Sequence, residues 1–269
     1  MKDFFKSVFA SALGTFLAIA IGSFAMVVLI VSLASSAGGN HDAGTVSVKP
    51  KTMLVIGGDL TINDTPAHGA PGLDLLLLGG SGPELDLLRA LEAIDLAAKD
   101  RNIVGILLSG SLAAGVTQKA EIRKAIAAFK TSGKPVIAWI ENGTQGEYYL
   151  SSVADKVYLH SAGEVELKGL ASYNMYFGDS LKLLGIGVQV TKVGKYKSAV
   201  EPYLGGVMSP EAKEQTEVLM NGLWKRLLAE VARSRGLTPE RLTKVVESGG
   251  VFAARKAVEL KLVDAVLHR

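Results

Sequence analysis

The chain has 269 residues, 48% of them apolar, with 29 basic against 26 acidic side chains, a net charge of +3 and no cysteine. The missing cysteines exclude disulfides, thiolate catalysis and cysteine-based zinc sites. Without a concentrated basic stripe there is no case for nucleic acid, and the length, less a membrane segment, leaves one domain's worth of sequence.

No charged residue occurs from Ser7 to Asn40, and Val8–Ala34 is almost wholly apolar or small. About 20 such residues span a bilayer as a helix. A secretory apolar region is about 7–15 residues, so a retained anchor is expected, with Ala34-Ser35-Ser36-Ala37 readable as a cleavage site. Lys2 and Lys6 precede the run and no Lys or Arg follows until Lys49. That bias places residues 1–6 in the cytoplasm, a transmembrane anchor at 7–34 and the bulk of the chain outside the cytoplasm. In a bacterium this is a single-pass protein of the inner (cell) membrane with its globular part on the periplasmic or external side. Residues 35–50, rich in Ser, Gly and Ala, read as a flexible tether.

The globular part, 51–269, opens with the apolar run Met53–Ile56, suited to a buried strand. Residues 57–82 read as loop, broken by Leu75–Leu78. Helical spacing marks Glu84–Lys99, and Ile103–Leu108 reads as a second strand. Lys119–Phe129 reads as a helix stopped by Ser132-Gly133-Lys134-Pro135. Val136–Ile140 is a third strand, Glu147–Val153 a short helix and Val157–His160 a fourth strand. Asn174–Leu184 is expected to be helical and Val188–Val193 to be a fifth strand. Ser209-Pro210-Glu211 and Thr238-Pro239-Glu240 each start a helix, with proline just inside and acid in the first turn. These end at Gly236 and near Gly249-Gly250, and a last helix and a short strand complete the chain. Apolar strands alternating with helices predict an α/β domain whose mostly parallel sheet is covered on both faces.

One stretch carries chemistry: Val193-Gly194-Lys195-Tyr196-Lys197-Ser198-Ala199-Val200-Glu201-Pro202-Tyr203. Lys197 lies between a tyrosine and small residues, soon after a strand-like run. A lysine in a tight, partly buried site loses hydration, and its neutral amine can act as a base. Further motifs are Asp100-Arg101-Asn102-Ile103-Val104-Gly105-Ile106, Gly133-Lys134-Pro135-Val136, Gly146 with Tyr148-Tyr149-Leu150, Ala154-Asp155-Lys156-Val157, Met208-Ser209-Pro210 and Leu262-Val263-Asp264. In this order, behind an N-terminal anchor, they resemble the signal peptide peptidase A family over essentially all of 51–269. The resemblance implies a ClpP/crotonase-like α/β domain and a membrane-anchored Ser–Lys protease that needs no metal or cofactor.

Active modules of that family carry the nucleophile in Ser-Gly-Gly-Tyr-Tyr at a helix start after the third strand. Here the run is Gln145-Gly146-Glu147-Tyr148-Tyr149, so Gln145 takes the serine's place and supplies no ionisable nucleophile. The long form of the family resembles two tandem modules, the first with the lysine and the second with the serine, and this chain resembles the first. By that resemblance Lys197 is the general base and the serine belongs to a second module. Gly146, Tyr196, Ser198 and Glu201 are possible site neighbours, Glu201 being read mainly as structural. The implied partners are apolar signal-peptide remnants, the lipid bilayer and a serine-bearing second module or further copies in an oligomer. A non-catalytic scaffold or regulatory subunit, or a truncated product, are the alternatives. The glycine loop Ser109–Gly115 lacks the active module's Ser-Pro-Gly-Gly, which leaves an oxyanion role without support. Gly79-Gly80-Ser81-Gly82 reads as a turn. His41, His68, His160 and His268 are scattered and match no metal spacing. Trp139, Trp224 and the apolar face of the 209–235 helix are read as packing and subunit contact.

Overall fold

The computed structural model describes residues 2–37, 48–65 and 83–268. Helix α1 (Lys2–Ala37) contains the span Phe9–Leu29, with mean hydropathy 2.3 and none of it buried. At 1.5 Å per residue its 21 residues cover about 31 Å, close to the ~30 Å hydrocarbon thickness of a bilayer. It is the one helix among the described residues long and apolar enough to cross a membrane. The helix runs through Ala37, so the first residues of the expected tether are helical. The rest of the tether to residue 47, Leu75–Leu78 and the 79–82 turn lie outside the described residues.

The domain is built on a five-stranded, all-parallel sheet, joining β1 (Thr52–Gly57), β4 (Ile103–Ser109), β6 (Val136–Ile140), β7 (Lys156–Leu159) and β10 (Ala265–Val266) in that order. A smaller parallel sheet joins β3 (Glu84–Asp86), β2 (Leu60–Asn63) and β5 (Leu112–Ala113). An antiparallel pair joins β8 (Glu164–Glu166) to β9 (Val251–Ala253). The helices are α2 (Leu87–Lys99), α3 (Val116–Phe129), α4 (Gln145–Ser151), α5 (Gly178–Leu183), α6 (Glu201–Leu204), α7 (Pro210–Ser234), α8 (Pro239–Glu247) and α9 (Ala254–Glu259).

Period-2 alternation sorts the main strands into two sets. Ile106, Leu108, Val136, Ala138, Val157 and Leu159 are buried in one core with Ile94 of α2, Ile122, Ile126 and Phe129 of α3, Tyr148 of α4 and Val231 of α7. Val55, Leu107, Ile137, Trp139 and Tyr158, on the opposite face, stay half-buried or exposed. The expectation of a sheet covered on both faces is therefore corrected: among the described residues the helices seal one face.

Caps explain where the helices begin. The Asp86 carboxylate accepts from the Arg89 N–H (2.9 Å), so α2 starts at Leu87 and the preceding Glu84–Asp86 pair with β2 instead of joining the helix. Ser209 and Thr238 cap α7 and α8 through Ala212 N–H and Arg241 N–H, with Pro210 and Pro239 just inside. Two other expectations fail. Val188–Val193 forms no strand, and the helix expected at Asn174–Leu184 shrinks to Gly178–Leu183 because the Phe177 N–H is drawn to Pro202 O (2.6 Å).

Candidate functional site

Gln145 is the first residue of α4. Thr144 precedes it, and its N–H and hydroxyl donate to the Glu147 carboxylate at 3.2 and 2.8 Å, fixing the helix start. The Gln145 carboxamide makes three hydrogen bonds to backbone. Its oxygen accepts from the Lys168 and Gly169 N–H groups (2.9 and 3.0 Å) and its nitrogen donates to Gly169 O (3.1 Å). Gly146 follows, half-buried, under the Lys119 amine of α3, which stands 2.8 Å from where a Cβ at 146 would be. Burial pushes that amine below the ordinary lysine value, while the Glu147 carboxylate pulls the other way.

Gln145 therefore clamps the point where the chain leaves β8 for the lysine-bearing segment. Replacing it by alanine is expected to cost about 1–3 kcal/mol, since three hydrogen bonds at roughly 0.5–1.5 kcal/mol each are lost and partly replaced by water. Hydrogen exchange checks this: the Lys168 and Gly169 amides should lose protection in Gln145→Ala, and unchanged protection there would count against the clamp.

Lys197 sits in the turn 194–200, its N–H reaching Gly194 O at 3.4 Å, and its side chain is exposed. This corrects the expected partly buried setting: Lys197 faces outward from the turn and is exposed. No hydrogen bond or ion pair joins Lys197 to Gln145. Tyr196 is exposed, and its hydroxyl donates to Glu214 (3.1 Å), a bond that pushes the phenol up. Ser198 is half-buried and its carbonyl accepts from the Glu201 N–H (3.0 Å). Glu201 accepts from the Ser209 hydroxyl (2.8 Å) and N–H (3.2 Å) and pairs with Lys192 (3.8 Å). The two Ser209 bonds hold its carboxyl below the usual range. Glu201 thus fastens the lysine segment to the cap of α7. Around it Tyr173, Met175, Leu183, Leu184, Val193 and Val207 are exposed, as are Val218, Leu219 and Leu223 on the first half of α7.

Most of the other motif residues hold the frame. Lys134 donates to Ala97 O and Asp100 O (2.7 and 2.6 Å), closing the C-terminus of α2. Asp155 accepts from the Val136 N–H and pairs with Lys130 (2.8 Å). Asp264 accepts from the Val157 N–H and pairs with Arg235 (3.0 Å), and the buried Tyr148 hydroxyl donates to Leu262 O (2.7 Å).

Two features were not anticipated. Arg123, on the apolar face of α3, is buried and donates to Tyr149 O, the Ser152 hydroxyl (2.8 Å), Glu230 O (3.0 Å) and the Ser234 hydroxyl (2.7 Å). Its guanidinium lies 4.8 Å from the Tyr149 ring centre and 3.7 Å from the Glu230 carboxylate. The signal available in the sequence was an arginine at helical spacing among Ile122, Ile126 and Phe129. The second is a cleft of about 500 Å³ where β1, β4 and β6 end, rimmed by Gly58, Asp59, Gly110, Ser111, Glu141 and Glu147. The loop after β4 bounds it, with Gly110 at φ 91° and a Cβ there 2.6 Å from Gly58 N, so only glycine fits.

Histidines 160 and 268 meet edge-on, with ring centres 5.5 Å apart, and His160 also meets Trp139. The reading of these two as scattered is corrected. His41 and His68 lie outside the described residues. Among the described residues no group of three or more His, Asp or Glu could hold a metal.

Residues 128–268, over half of the chain, match the model of peptidase family S49. Protease 4 of Salmonella typhi is 35% identical over 240 residues, covering 85% of this chain and 39% of that protein. The chloroplastic serine protease SPPA of Arabidopsis thaliana is 29% identical over 173 residues, covering 64% of this chain and 25% of that one. The chain therefore spans less than two fifths of the length of these relatives. A crystal structure of an enoyl-CoA hydratase/isomerase family member aligns with 67% of this chain and 59% of its own at 15% identity and a TM-score of 0.40. The matched stretch runs from the end of α3 through Gln145 and Lys197 to β10, and the chain belongs to peptidase family S49, a family of serine proteases.

Proposed function

We propose that this chain is the lysine-bearing module of a membrane-anchored Ser–Lys protease that degrades apolar signal-peptide remnants, with the serine supplied by a second module. One observation carries the reading. The carboxamide at the nucleophile's place is committed to its own backbone, while Lys197 stands exposed on a surface with many uncovered apolar side chains. An amine placed so becomes a base only once another surface covers it and brings a hydroxyl to it. The apolar side chains around Lys197 and on α7 suit such a contact, either with a serine-bearing module or with further copies. Relatives more than twice as long leave room for a second module in one chain.

On this reading α1 anchors the protein in the bacterial inner membrane, with residues 1–6 cytoplasmic, 38–50 a tether and the domain on the periplasmic or outer side. Apolar peptides concentrate at the bilayer, where a tethered enzyme meets them. The chemistry needs no cofactor: the neutral lysine takes the serine proton, an acyl-enzyme forms, and the amine then activates water.

Gln145 also favours a second reading, a scaffold with the fold and no chemistry. Mixing decides between them. The detergent-solubilised chain, alone and with a serine-bearing second module, is assayed on an apolar signal-peptide-like substrate. Hydrolysis is expected in the mixture alone. No hydrolysis in either favours the scaffold.

A further inference from the structure

No run of basic residues marks the sequence, but the fold gathers a basic row. The segments that lead into and open the five parallel strands (49–51, 99–102, 130–135, 152–156 and 260–264) hold eight Lys or Arg against three Asp. They lie side by side along one end of the sheet. The Thr52 N–H donates to Asn102 O (2.9 Å) and its hydroxyl to Lys49 O (2.8 Å), Lys134 reaches Asp100 O, Asp155 accepts from the Val136 N–H and Asp264 from the Val157 N–H. Each carboxylate has a partner of its own. Asp155 pairs with Lys130 (2.8 Å), Asp264 with Arg235 (3.0 Å), and Asp100 accepts from the Asn102 N–H (2.8 Å). Lys99 pairs with Asp95, and Lys156 lies 4.0 Å from Asp264. Lys49, Lys51, Arg101 and Lys261 are exposed and enter none of the ion pairs among the described residues. The loops that leave the same strands (58–59, 110–111, 141–144, 160–163 and 267–268) hold Asp59 and Glu141 and no Lys or Arg. The sheet is therefore basic at one end and acidic at the other, about 20 Å apart along the seven-residue β4.

We propose that the strand-start end of the sheet is a docking face for anionic phospholipid headgroups, held to the bilayer by those four free cations. The position of the anchor singles out this partner. Helix α1 ends at Ala37 and the described chain resumes at Val48, next to Lys49. The ten residues between reach at most about 35 Å. The start of β1, where Lys49 and Lys51 stand, is thereby held close to the end of the anchor. Clustered Lys and Arg beside a membrane span are drawn to an anionic surface within a Debye length, about 8 Å at physiological salt. A short tether keeps that surface at a high local concentration, so weak contacts suffice. The inference rests on the reading of α1 as a membrane anchor and adds a posture to it. With the strand starts against the bilayer, Gln145 and the start of α4, which follow the end of β6, face away from it. A transmembrane segment still in place is then out of their reach, whereas a released peptide is not.

The chain contains no cysteine, so a single introduced one can carry a fluorophore. Thr131→Cys places it at the strand-start end and Asn142→Cys at the opposite end, both exposed positions. The full chain is reconstituted in phosphatidylcholine vesicles with or without about 30% phosphatidylglycerol, and energy transfer to an acceptor on the headgroups is measured. In the anionic vesicles the Thr131→Cys label is expected to transfer about twofold more than the Asn142→Cys label, and ~1 M salt, with its ~3 Å Debye length, should remove the difference. Neutral vesicles should remove it too. So should Lys49→Glu, Lys51→Glu, Arg101→Glu and Lys261→Glu made together, with circular dichroism unchanged, since none of the four enters an ion pair among the described residues. Equal transfer from the two labels in anionic vesicles, or a difference that persists in neutral lipid or in the fourfold variant, would overturn the docking face. Flotation reads the anchor separately. A chain that floats with neutral vesicles and shows equal transfer from both labels keeps the anchor and loses the docking face. One that floats with anionic vesicles alone, its labels unequal, keeps the docking face and loses the anchor.

Discussion

Lys197→Ala, introduced into the enzyme reconstituted with a serine-bearing module, is expected to lower kcat/KM by about a hundred- to ten-thousand-fold, the range of a positioned general base. Lys197→Arg should not rescue it, because a guanidinium does not give up its proton in proteins. The neighbouring lysines supply the control. Lys195 lies 5.0 Å from the Tyr196 ring centre and Lys192 pairs with Glu201, so alanine at either removes charge near the turn without removing the proposed base. Each should change kcat/KM by no more than about threefold, as surface pairs of this kind contribute ~0–1 kcal/mol. If Lys197→Ala falls in that same small range in steady-state kinetics, the dyad assignment fails. Far-ultraviolet circular dichroism should be unchanged, since the side chain is exposed and packs on nothing in the described chain.

The largest effect on folding is expected from Arg123→Ala, about 3–5 kcal/mol, the cost of leaving a partly buried charge without its partner. The substitution takes the Arg123 donors from Tyr149 O and the Ser152 hydroxyl, which keep only the bond between them (2.9 Å), leaves the Glu230 carboxylate with Arg226 and the Tyr149 hydroxyl, and removes the cation over the Tyr149 ring. Burial and the hydrogen bond to Glu230 push the Tyr149 phenol up to about 12, so it stays a neutral donor at any pH the protein meets. For a domain of this size the loss corresponds to a fall in Tm of roughly 10 °C. Arg123→Lys should recover little, because one ammonium cannot reach groups on both α4 and α7 in the planar geometry of a guanidinium. A thermal melt of Arg123→Ala within 2 °C or so of the parent protein would contradict this account, given ~2–4 °C per kcal/mol.

The legibility of the fold in the sequence follows its physics. The strands β4, β6 and β7 lie inside the sheet and β1 at its edge, and each was readable as a mostly apolar run. β2, β3, β5 and β8 are two to four residues long, too short for any period to register. Val188–Val193 has the composition of a strand, but a strand also needs a neighbour to bond, and among the described residues it has none. At the site, the lysine and the glutamine could be found by position in a motif. The exposure of Lys197 could not, because adjacent residues report local preference and not which surface is left open. Arg123 was overlooked because a charge on an apolar stripe looks like an error in the pattern until its four acceptors are seen. The cleft carboxylates come from two stretches far apart in the chain, Asp59 in one and Glu141 with Glu147 in the other, and their meeting is a product of topology alone.

The Val157 N–H, at the start of β7, finds its acceptor on Asp264, 107 residues later, and β10 then pairs with β7 in parallel. On the ribosome this is a matter of timing. At about 5–20 residues per second, the partner for that edge emerges several seconds or more after β7 itself. Until then β7 presents a strand edge open to pairing with another chain. On the proposed reading, in which α1 is a membrane anchor, the first segment to be fixed in the bilayer is α1 and the last to join the sheet is β10. A molecule held by one end during that interval has fewer neighbours to meet than one diffusing freely, and the anchor then serves the protein's own assembly before any substrate arrives.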